Sequence, residues 1–178
     1  MLRLERMGER VRRLHDSIGD GMIIDVVVAS TSRYGRFGAV NSPKEAQDES
    51  GRIILEKIGA AGHTARYALL PDGLGLAAAV KESSADAVVI CGGTGLTSQD
   101  LTLEAVEPLF EKSLPGFGEI FRQRSLVEVG TRAMLTRAAA GIYQGRPVFC
   151  IPGSPGAARL GIELILAELA HIVGHIRQ

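Results

Sequence analysis

The segment Ala87-Val88-Val89-Ile90-Cys91-Gly92-Gly93-Thr94-Gly95 joins an unbroken apolar run to a cluster of glycines. A short run of this kind, rich in β-branched residues, is typical of a strand buried on both faces, as in a parallel sheet. Glycines placed directly after such a strand let the backbone approach a ligand closely and turn its N–H groups inward. The segment therefore predicts a buried strand that opens into a loop suited to bind an anion.

An alternation of strands and helices extends outward from this segment in both directions. Residues 23–29 form a nearly continuous β-branched run, which predicts another strand buried on both faces. Further strands are predicted at residues 67–70, 138–143 and 147–151, the last two joined around Gly145. Because helical patterns separate most of the strands, we predict a three-layer, doubly wound α/β fold with a mostly parallel sheet and helices on both faces.

The segments between the strands differ in how clearly they predict structure. Residues 30–41 are polar and contain glycine, and we predict a long mobile loop there. The helix after it begins either at Ser42-Pro43, which offers an N-cap and a first-turn proline, or at Asp48. Residues 114–118 indicate an interruption before a helix over residues 119–129.

The first 20 residues are predicted to form a helical extension ahead of an α/β domain of residues 21–178. Apolar residues in this extension repeat at spacings of three and four, which places them on one stripe of a helix. These residues are Leu4, Met7, Val11, Leu14 and Ile18. We expect this amphipathic helix to dock on the body of the protein or on a partner subunit.

Composition narrows the possible partners and location. Lysine plus arginine equals aspartate plus glutamate at 20 each, so the 178-residue chain has no broad basic character and is not expected to bind nucleic acid. No apolar run approaches the roughly 20 residues that span a bilayer, and the N-terminus has no apolar signal core, so we expect a cytoplasmic protein without membrane contact. Cys91 and Cys150 lie inside strand-like runs and are expected to be buried small hydrophobic residues.

The loop after residue 91 is the strongest candidate for chemistry. Thr94, Thr97 and Ser98 add hydroxyl donors to its glycines, and the Asp100 carboxylate could hold Mg²⁺ against phosphate oxygens. A tight turn with Asp100 as a helix N-cap explains the pattern equally well. The loop has neither the terminal lysine of a Walker motif nor the spacing of the Rossmann glycine fingerprint.

Two further loops should meet this one at the carboxyl edge of the sheet, where ligands bind in open α/β folds. Asp72 follows a predicted strand, so it either pairs with Asp100 as a metal or acid–base site or simply caps the next helix. Residues 152–155 are Pro-Gly-Ser-Pro, which make a helix start and a possible anion site. Phe117 between two glycines either lines a flat pocket or plugs the core.

The histidines and the nucleophile motifs point to no other chemistry. No pair of histidines and cysteines has metal-ligand spacing, and the four-residue interval between His171 and His175 fits a solvated helix face better than a metal site. The chain contains no G-x-S-x-G elbow, which disfavours a covalent serine mechanism.

Taken together, these loops resemble the MoaB/Mog family, which carries the molybdopterin-binding domain of molybdopterin adenylyltransferases. The resemblance extends from about Ile23 to the C-terminus. Its motifs in this chain are residues 48–51 (DESG), 71–72 (PD), 92–95 (GGTG), 100–102 (DLT), 114–119 (LPGFGE), Ser125 and residues 152–155 (PGSP). Their joint order and spacing are far more specific than any single motif.

The resemblance implies transfer of AMP from Mg-ATP to the phosphate of molybdopterin, with release of pyrophosphate. It implies that Asp72 and Asp100 are catalytic and that Asp100 holds Mg²⁺. The residues for which it implies contacts with nucleotide or pterin are Gly92, Gly93, Thr94, Gly95, Gly116, Glu119, Ser125, Pro152, Gly153 and Ser154. It also implies a homotrimer or homohexamer and a downstream molybdate-insertion protein as a partner.

One residue departs from the family pattern. Gln99 stands where the family commonly has an arginine, so a cation beside the phosphates is missing. Arg33, Arg36 and Arg122 are candidates to replace it. The alternative function is therefore a non-catalytic molybdopterin-binding or scaffold protein of the same pathway.

Overall fold

The structure of the chain, a computed structural model, describes residues 21–178 and is centred on one β-sheet. Within those residues the sheet has six strands in the order β2-β1-β3-β6-β5-β4. They are β1 (Ile23–Ala29), β2 (Thr64–Leu70), β3 (Ala87–Cys91), β4 (Lys112–Ser113), β5 (Ala139–Tyr143) and β6 (Arg146–Ile151). Strands β2, β1, β3 and β6 are parallel, while β5 is antiparallel to both β6 and β4. The prediction of a mostly parallel sheet is confirmed. The predicted helix within residues 4–18 lies outside the described residues.

Helices cover both faces of the sheet. They are α1 (Thr31–Phe37), α2 (Glu49–Ala60), α3 (Gly75–Glu82), α4 (Thr102–Val106), α5 (Pro115–Val129) and α6 (Pro155–Ile176), with 3₁₀ turns at Glu107–Leu109 and Gly130–Leu135. One core packs α2, α5 and α6 against the sheet, and the other packs α3 and α4 against its opposite face. The three-layer, doubly wound arrangement is confirmed. None of the helices within residues 21–178 has the length and apolar character needed to cross a membrane.

Strand β3 is central because its side chains serve both cores. Val89 and Cys91 contact the α2–α6 core, whereas Val88 and Ile90 contact the α3–α4 core. All five residues of the strand are buried, as expected for a strand covered on both faces. Each fully buried aliphatic side chain of this kind stabilises the fold by about 1.5–3 kcal/mol.

Residues 30–41 do not form the long loop predicted from their composition. Helix α1 occupies most of this segment, and its N-cap Ser30 accepts a hydrogen bond from the Arg33 backbone N–H. None of the residues of α1 is buried, so the helix has no apolar periodicity that sequence analysis could detect. The capping bond at Ser30 and the packing of Tyr34 against the α2–α6 core hold this short polar helix.

The helix after this segment begins at Asp48, the second of the two predicted starts. Residues 43–47 form turns, and Gln47 has a φ of 48°. A non-glycine residue in the left-handed region interrupts a helix, so Ser42-Pro43 cannot be its first turn. The start at Ser42 is wrong, and Asp48 occupies the N-cap position of α2.

Residues 114–118 are the beginning of α5 and not an interruption before it. Pro115 is at the first helical position, where its missing N–H costs nothing. Phe117 lies on this helix and packs edge-on against Phe149, with ring centroids 5.3 Å apart. Of its two predicted roles, the plug in the core fits the structure.

Candidate active site

A cavity of about 400 Å³ opens where four parallel strands end. The strand order reverses between β1 and β3, because the chain passes from β1 to β2 on one side and then to β3 on the other. Ligands bind at such switch points, outside the carboxyl ends of the strands. The loops after β1, β2, β3 and β6 all contribute to the cavity, which is lined by Val28, Ala29, Ser30, Thr31, Ser32, Arg33, Asp48, Asp72, Cys91, Gly92, Gly93, Gln99, Asp100 and Gly153.

The glycine loop after β3 packs so closely that no side chain fits at its first two positions. Gly92 has a φ of 114°, and a Cβ atom there would lie 2.2 Å from the carbonyl oxygen of Ala29. Gly93 has a φ of 62°, and its Cβ would lie 1.7 Å from the Oδ1 atom of Asp72. Both the backbone conformation and the space require glycine. The loop therefore lies directly against the end of β1 and against a carboxylate.

Asp72 is half-buried at the start of the loop after β2. Its backbone N–H donates to the Thr31 hydroxyl (3.1 Å), and its Oδ1 lies 3.1 Å from the Thr102 hydroxyl. The Thr102 hydroxyl also lies 2.8 Å from the carbonyl oxygen of Gly92, and its single proton serves only one of these two acceptors at a time. Burial is the main cause that raises the pKa of Asp72 above its usual range, and the charge of Asp100 adds to it. This carboxyl group is suited to hold or take up a proton.

The surroundings of Asp100 shift its pKa in the direction opposite to that of Asp72. Its Oδ2 accepts hydrogen bonds from the Thr97 hydroxyl (2.6 Å) and the Thr97 backbone N–H (2.9 Å). The Thr97 hydroxyl is the main cause that lowers the pKa of Asp100, with help from the backbone N–H groups of Thr97 and Gly95 and from Arg137. Asp100 does not cap α4, whose N-cap position belongs to Leu101. The structure thus favours an ionised carboxylate facing the cavity over the N-cap alternative.

The two aspartates form a pair whose pKa values are moved apart by their surroundings. Such a pair suits acid–base and metal-assisted chemistry, because the surroundings favour the protonated form of Asp72 and the ionised form of Asp100. Magnesium usually takes one or two protein carboxylates and completes its shell with water and substrate phosphates. Within residues 21–178 no group of three or more His, Cys, Asp or Glu side chains is placed to hold a metal by itself. The donor set therefore fits a Mg²⁺ ion that is shared with a phosphate ligand.

Known proteins match the chain that carries this site. Residues 18–171, which are most of the chain, match the family model described as a probable molybdopterin binding domain. The chain belongs to this family.

Relatives of this molybdopterin binding domain agree with the assignment. The molybdopterin adenylyltransferase of Pyrococcus furiosus is 43% identical over 143 residues, which cover 75% of this chain and 83% of that protein. The molybdenum cofactor biosynthesis protein B of Bacillus subtilis is 43% identical over 139 residues, covering 74% of this chain and 82% of that protein. A crystal structure of the tungsten cofactor synthesizing protein MoaB from Pyrococcus furiosus matches with a TM-score of 0.76 at 39% identity, covering 89% of this chain and 98% of that one. The predicted resemblance to the MoaB/Mog family is confirmed.

The domain brings some of the predicted site residues to the cavity and leaves others outside it. Those that line it are Asp72, Asp100, Gly92, Gly93 and Gly153. Gln99, the residue that differs from the family pattern, lines it as well. Thr94 belongs to the glycine loop and is buried. Gly95 supports Asp100, since a Cβ atom at Gly95 would lie 2.6 Å from the Asp100 carboxylate.

The residues after β6 contact the end of β3 and cap the start of α6. The Pro152 carbonyl oxygen lies 3.5 Å from the Cys91 sulfur, and the Ser154 hydroxyl caps α6 by accepting from the Ala157 N–H. These contacts keep Gly153 at the cavity wall, where its Cβ would lie 3.1 Å from the Gly92 Cα. Pro152 and Ser154 do not themselves line the cavity.

Helix α5 carries the three predicted residues that lie away from this cavity. Glu119 lines a second cavity of about 440 Å³ between α5 and strand β5. Ser125 is buried in the same helix, and Gly116 is in its first turn. None of the three lines the cavity that holds the aspartate pair.

Sequence analysis missed Arg137, which contacts the loop that carries Asp100. It lines the second cavity, and its Nε donates to the Thr94 carbonyl (3.1 Å) while its NH2 donates to the Asp100 carbonyl (3.4 Å). An ion pair with Glu104 fixes the guanidinium from the other side. Arg137 therefore fastens both ends of the loop that carries Asp100. Nothing in its local sequence indicates this role, because its partners are more than thirty residues away.

Of the three arginines considered as substitutes for a cation at position 99, the structure brings one to the site. Arg33 lines the cavity and pairs with Asp48 at 3.4 Å. Arg36 lies over the ring of Phe37, and Arg122 lines the second cavity.

Proposed function

We propose that this chain is a molybdopterin adenylyltransferase of molybdenum-cofactor biosynthesis. It transfers the AMP group of ATP to the terminal phosphate of molybdopterin and releases pyrophosphate. The observation that carries the proposal is the aspartate pair Asp72 and Asp100 facing a glycine loop that only glycine can form. Relatives more than 40% identical over most of the chain, one of them named molybdopterin adenylyltransferase, support the same reaction.

The charge of the cavity explains why a cation takes part. Three carboxylates, those of Asp48, Asp72 and Asp100, line it with the single guanidinium of Arg33. Both substrates are anionic, so their phosphates would be repelled by this lining and by each other. When bound at Asp100, Mg²⁺ supplies the positive charge that offsets this repulsion.

The residues of the chain act mainly by positioning. The N–H groups of Gly92 and Gly95 already donate to the Ile151 carbonyl oxygen and to the Asp100 carboxylate. The N–H groups of Gly93 and Thr94 therefore bind phosphate oxygens, and Asp100 stays ionised beside them. Asp72 takes the proton of the attacking phosphate, which its raised pKa allows. The bond between that phosphate oxygen and the α-phosphorus forms, and the bond from the α-phosphorus to pyrophosphate breaks. Little covalent chemistry is asked of the protein, so correct placement supplies most of the rate.

The residues on α5 and after β6 are proposed to contact the remaining parts of the ligands. Glu119 belongs to the second cavity, which Arg137 also lines and which offers space for the pterin. Gly116, Ser125, Pro152 and Ser154 keep the contacts proposed for them from the family resemblance.

We also propose a cytoplasmic homotrimer or homohexamer that hands its product to a molybdate-insertion protein. Large apolar side chains are exposed along α5 and the 3₁₀ turn after it, and Val127 and Met134 are 87% and 80% exposed. Apolar patches of this kind mark protein–protein contacts. Sedimentation of the full chain, and of a variant without residues 1–18, would measure the assembly and the part that the N-terminal segment plays in it.

A second candidate function is a non-catalytic molybdopterin-binding or scaffold protein, and Gln99 favours it. This uncharged residue lines the cavity where the family commonly has arginine. Anaerobic incubation with molybdopterin, ATP and Mg²⁺, with pyrophosphate and adenylylated pterin as readouts, separates the two functions. Product from the wild type but not from Asp100→Ala supports the enzyme, whereas tight pterin binding without product supports the scaffold.

A further inference from the structure

The DESG motif at residues 48–51 places two buried polar side chains next to the cavity. Asp48 and Ser50 are 3% and 5% exposed. Buried polar groups must have partners, and a buried carboxylate needs a partner most of all. Their partners show what the motif holds in place.

Asp48 does not act as a helix cap, although it occupies the N-cap position of α2. Its side chain makes no capping hydrogen bond. Instead its Oδ2 accepts a hydrogen bond from the Tyr67 hydroxyl (2.9 Å), and its Oδ1 lies 3.4 Å from a guanidinium nitrogen of Arg33. Gly51 makes this arrangement possible, because a Cβ atom there would lie 2.4 Å from the Asp48 carboxylate. Burial and the Asp48 charge raise the pKa of Tyr67, so its hydroxyl remains a donor.

Ser50 extends the same arrangement to the opposite wall of the cavity. Its hydroxyl donates to the Gly153 carbonyl oxygen at 2.8 Å. Residues two positions apart in one motif therefore fix Arg33 of helix α1 and the backbone of the loop after β6. Both of these lie at the cavity surface.

Among the described residues, these contacts hold Arg33 in place and leave most of its N–H donors free. Within residues 21–178 its guanidinium has one hydrogen-bond partner, Asp48, reached from NH1 alone. A guanidinium has five N–H donors, so most of them remain for a ligand. The side chain is 38% exposed, and Arg33 is the one arginine or lysine of the described residues that lines the cavity.

We propose that Arg33 is the phosphate-binding side chain of this cavity, with Asp48 and Tyr67 as its positioning residues. Arg33 supplies the cation that Gln99 does not, and it binds a phosphate group of ATP or of the pterin by charge-assisted hydrogen bonds. This inference rests on the proposed adenylyl transfer for the identity of the substrates. The anion site itself, formed by Arg33 in the position that Asp48 holds, can be tested by binding alone, without the catalysed reaction.

Calorimetric titration of the full chain with inorganic pyrophosphate, without metal, tests the anion site directly. Loss of a charge-assisted hydrogen bond weakens binding by about tenfold to a hundredfold, so we expect Arg33→Gln to raise the Kd of pyrophosphate by that factor. Arg36→Gln is the matched control, because Arg36 belongs to the same helix but lies over the Phe37 ring at 4.9 Å. Unchanged affinity in Arg33→Gln, or no binding by the wild type, would overturn the proposal.

The direction in which Asp48→Asn changes the affinity for pyrophosphate tests the positioning role of Asp48. Asp48→Asn removes a negative charge near the anion, so a purely electrostatic role of Asp48 would tighten pyrophosphate binding. If Asp48 holds Arg33 in place, the same substitution weakens binding despite the removed charge, and Tyr67→Phe weakens it by a smaller factor. Thermal unfolding of each variant confirms that the comparison is made on folded protein. Tighter binding by Asp48→Asn would overturn the positioning role.

Steady-state kinetics identify the source of the phosphate. A rise in the KM of ATP in Arg33→Gln assigns Arg33 to the triphosphate, and a rise in the KM of molybdopterin assigns it to the pterin phosphate. Either result supports the proposal, and unchanged KM values for both substrates contradict it. If the wild type forms no adenylylated pterin yet binds pyrophosphate through Arg33, the proposed reaction fails while the anion site stands.

Discussion

Alanine at position 93 should damage both the stability of the domain and its catalysis. Gly93 has a φ of 62°, and alanine in the left-handed region costs about 1–2 kcal/mol. The new Cβ would lie 1.7 Å from the Asp72 carboxylate and 2.3 Å from the Thr102 hydroxyl. Asp72 must therefore move by roughly 2 Å to reach normal contact distance and loses its contact with Thr102, at a further cost of about 1 kcal/mol.

These terms add to about 2–3 kcal/mol of unfolding free energy. In a domain of this size each kcal/mol lowers the Tm by about 2–4 °C, so Gly93→Ala should unfold about 4–12 °C below the wild type. Displacing a catalytic group by more than 1 Å should also lower kcat/KM by about 100-fold. Circular dichroism measures the first effect, and release of pyrophosphate measures the second.

Gly59→Ala is the matched control for Gly93→Ala. Gly59 lies in α2, and no atom of residues 21–178 lies within 4 Å of its Cβ position, so alanine there should stabilise the helix by about 0.5–1 kcal/mol and leave turnover unchanged. A Gly93→Ala variant with the Tm and turnover of the wild type would refute the close packing of the loop on Asp72. An equal loss in Gly59→Ala would show that the method does not report on the site.

Three further substitutions or treatments have defined outcomes. Because burial and the Asp100 charge raise the pKa of Asp72, its ionised form destabilises the folded state above that pKa; Asp72→Asn should raise the urea midpoint at pH 7, and the gain should vanish as the pH falls to about 3.9, the unfolded value. Arg137→Met removes hydrogen bonds from both ends of the glycine loop, so kcat should fall more than KM rises, while Arg137→Lys, which keeps the charge but not the fork, should recover part of it. Burial raises the pKa values of Cys91 and Cys150, so neither thiol should react with a disulfide reagent at pH 8 until guanidinium unfolds the protein. Rapid labelling of the native protein would contradict this prediction. A wild-type kcat in Arg137→Met, or an effect of Asp72→Asn that does not depend on pH, would contradict the other two.

Much of the sheet could be predicted because its signals are local. Strand β3 is apolar at every position, and this pattern follows directly from its burial on both faces. The same reasoning placed Asp72 and the glycine loop at one edge, since parallel strands end together. These residues do meet in the cavity.

The wrong secondary-structure predictions concern segments whose conformation depends on contacts with distant parts of the chain. Helix α1 has no buried residue and therefore no apolar pattern. The start of α5 contains a proline and two glycines, which are typical of a loop. Gly118 is in fact required by packing, because a Cβ atom there would lie 2.5 Å from the Ala138 carbonyl oxygen, and glycine lets α5 approach the sheet.

The supporting residues of the site were the least predictable part. Arg137 acts through partners that are more than thirty residues away in the chain, and it lies in no motif. Asp48 was visible within a motif, but its role depends on Tyr67 and Gly51. Sequence patterns therefore identified the groups that face the ligand more readily than the groups that hold them.

The most direct test of the account is a single-turnover reaction with excess protein, limiting molybdopterin, and ATP labelled at the α-phosphorus. We expect wild-type protein with Mg²⁺ to attach one labelled AMP to each pterin and to release one pyrophosphate. Asp100→Asn, which keeps the size of the side chain but not its charge, should bind pterin and form at least 100-fold less product. Label that stays in ATP with wild-type protein, or equal product from Asp100→Asn, would contradict the central claim that this carboxylate site transfers adenylyl groups.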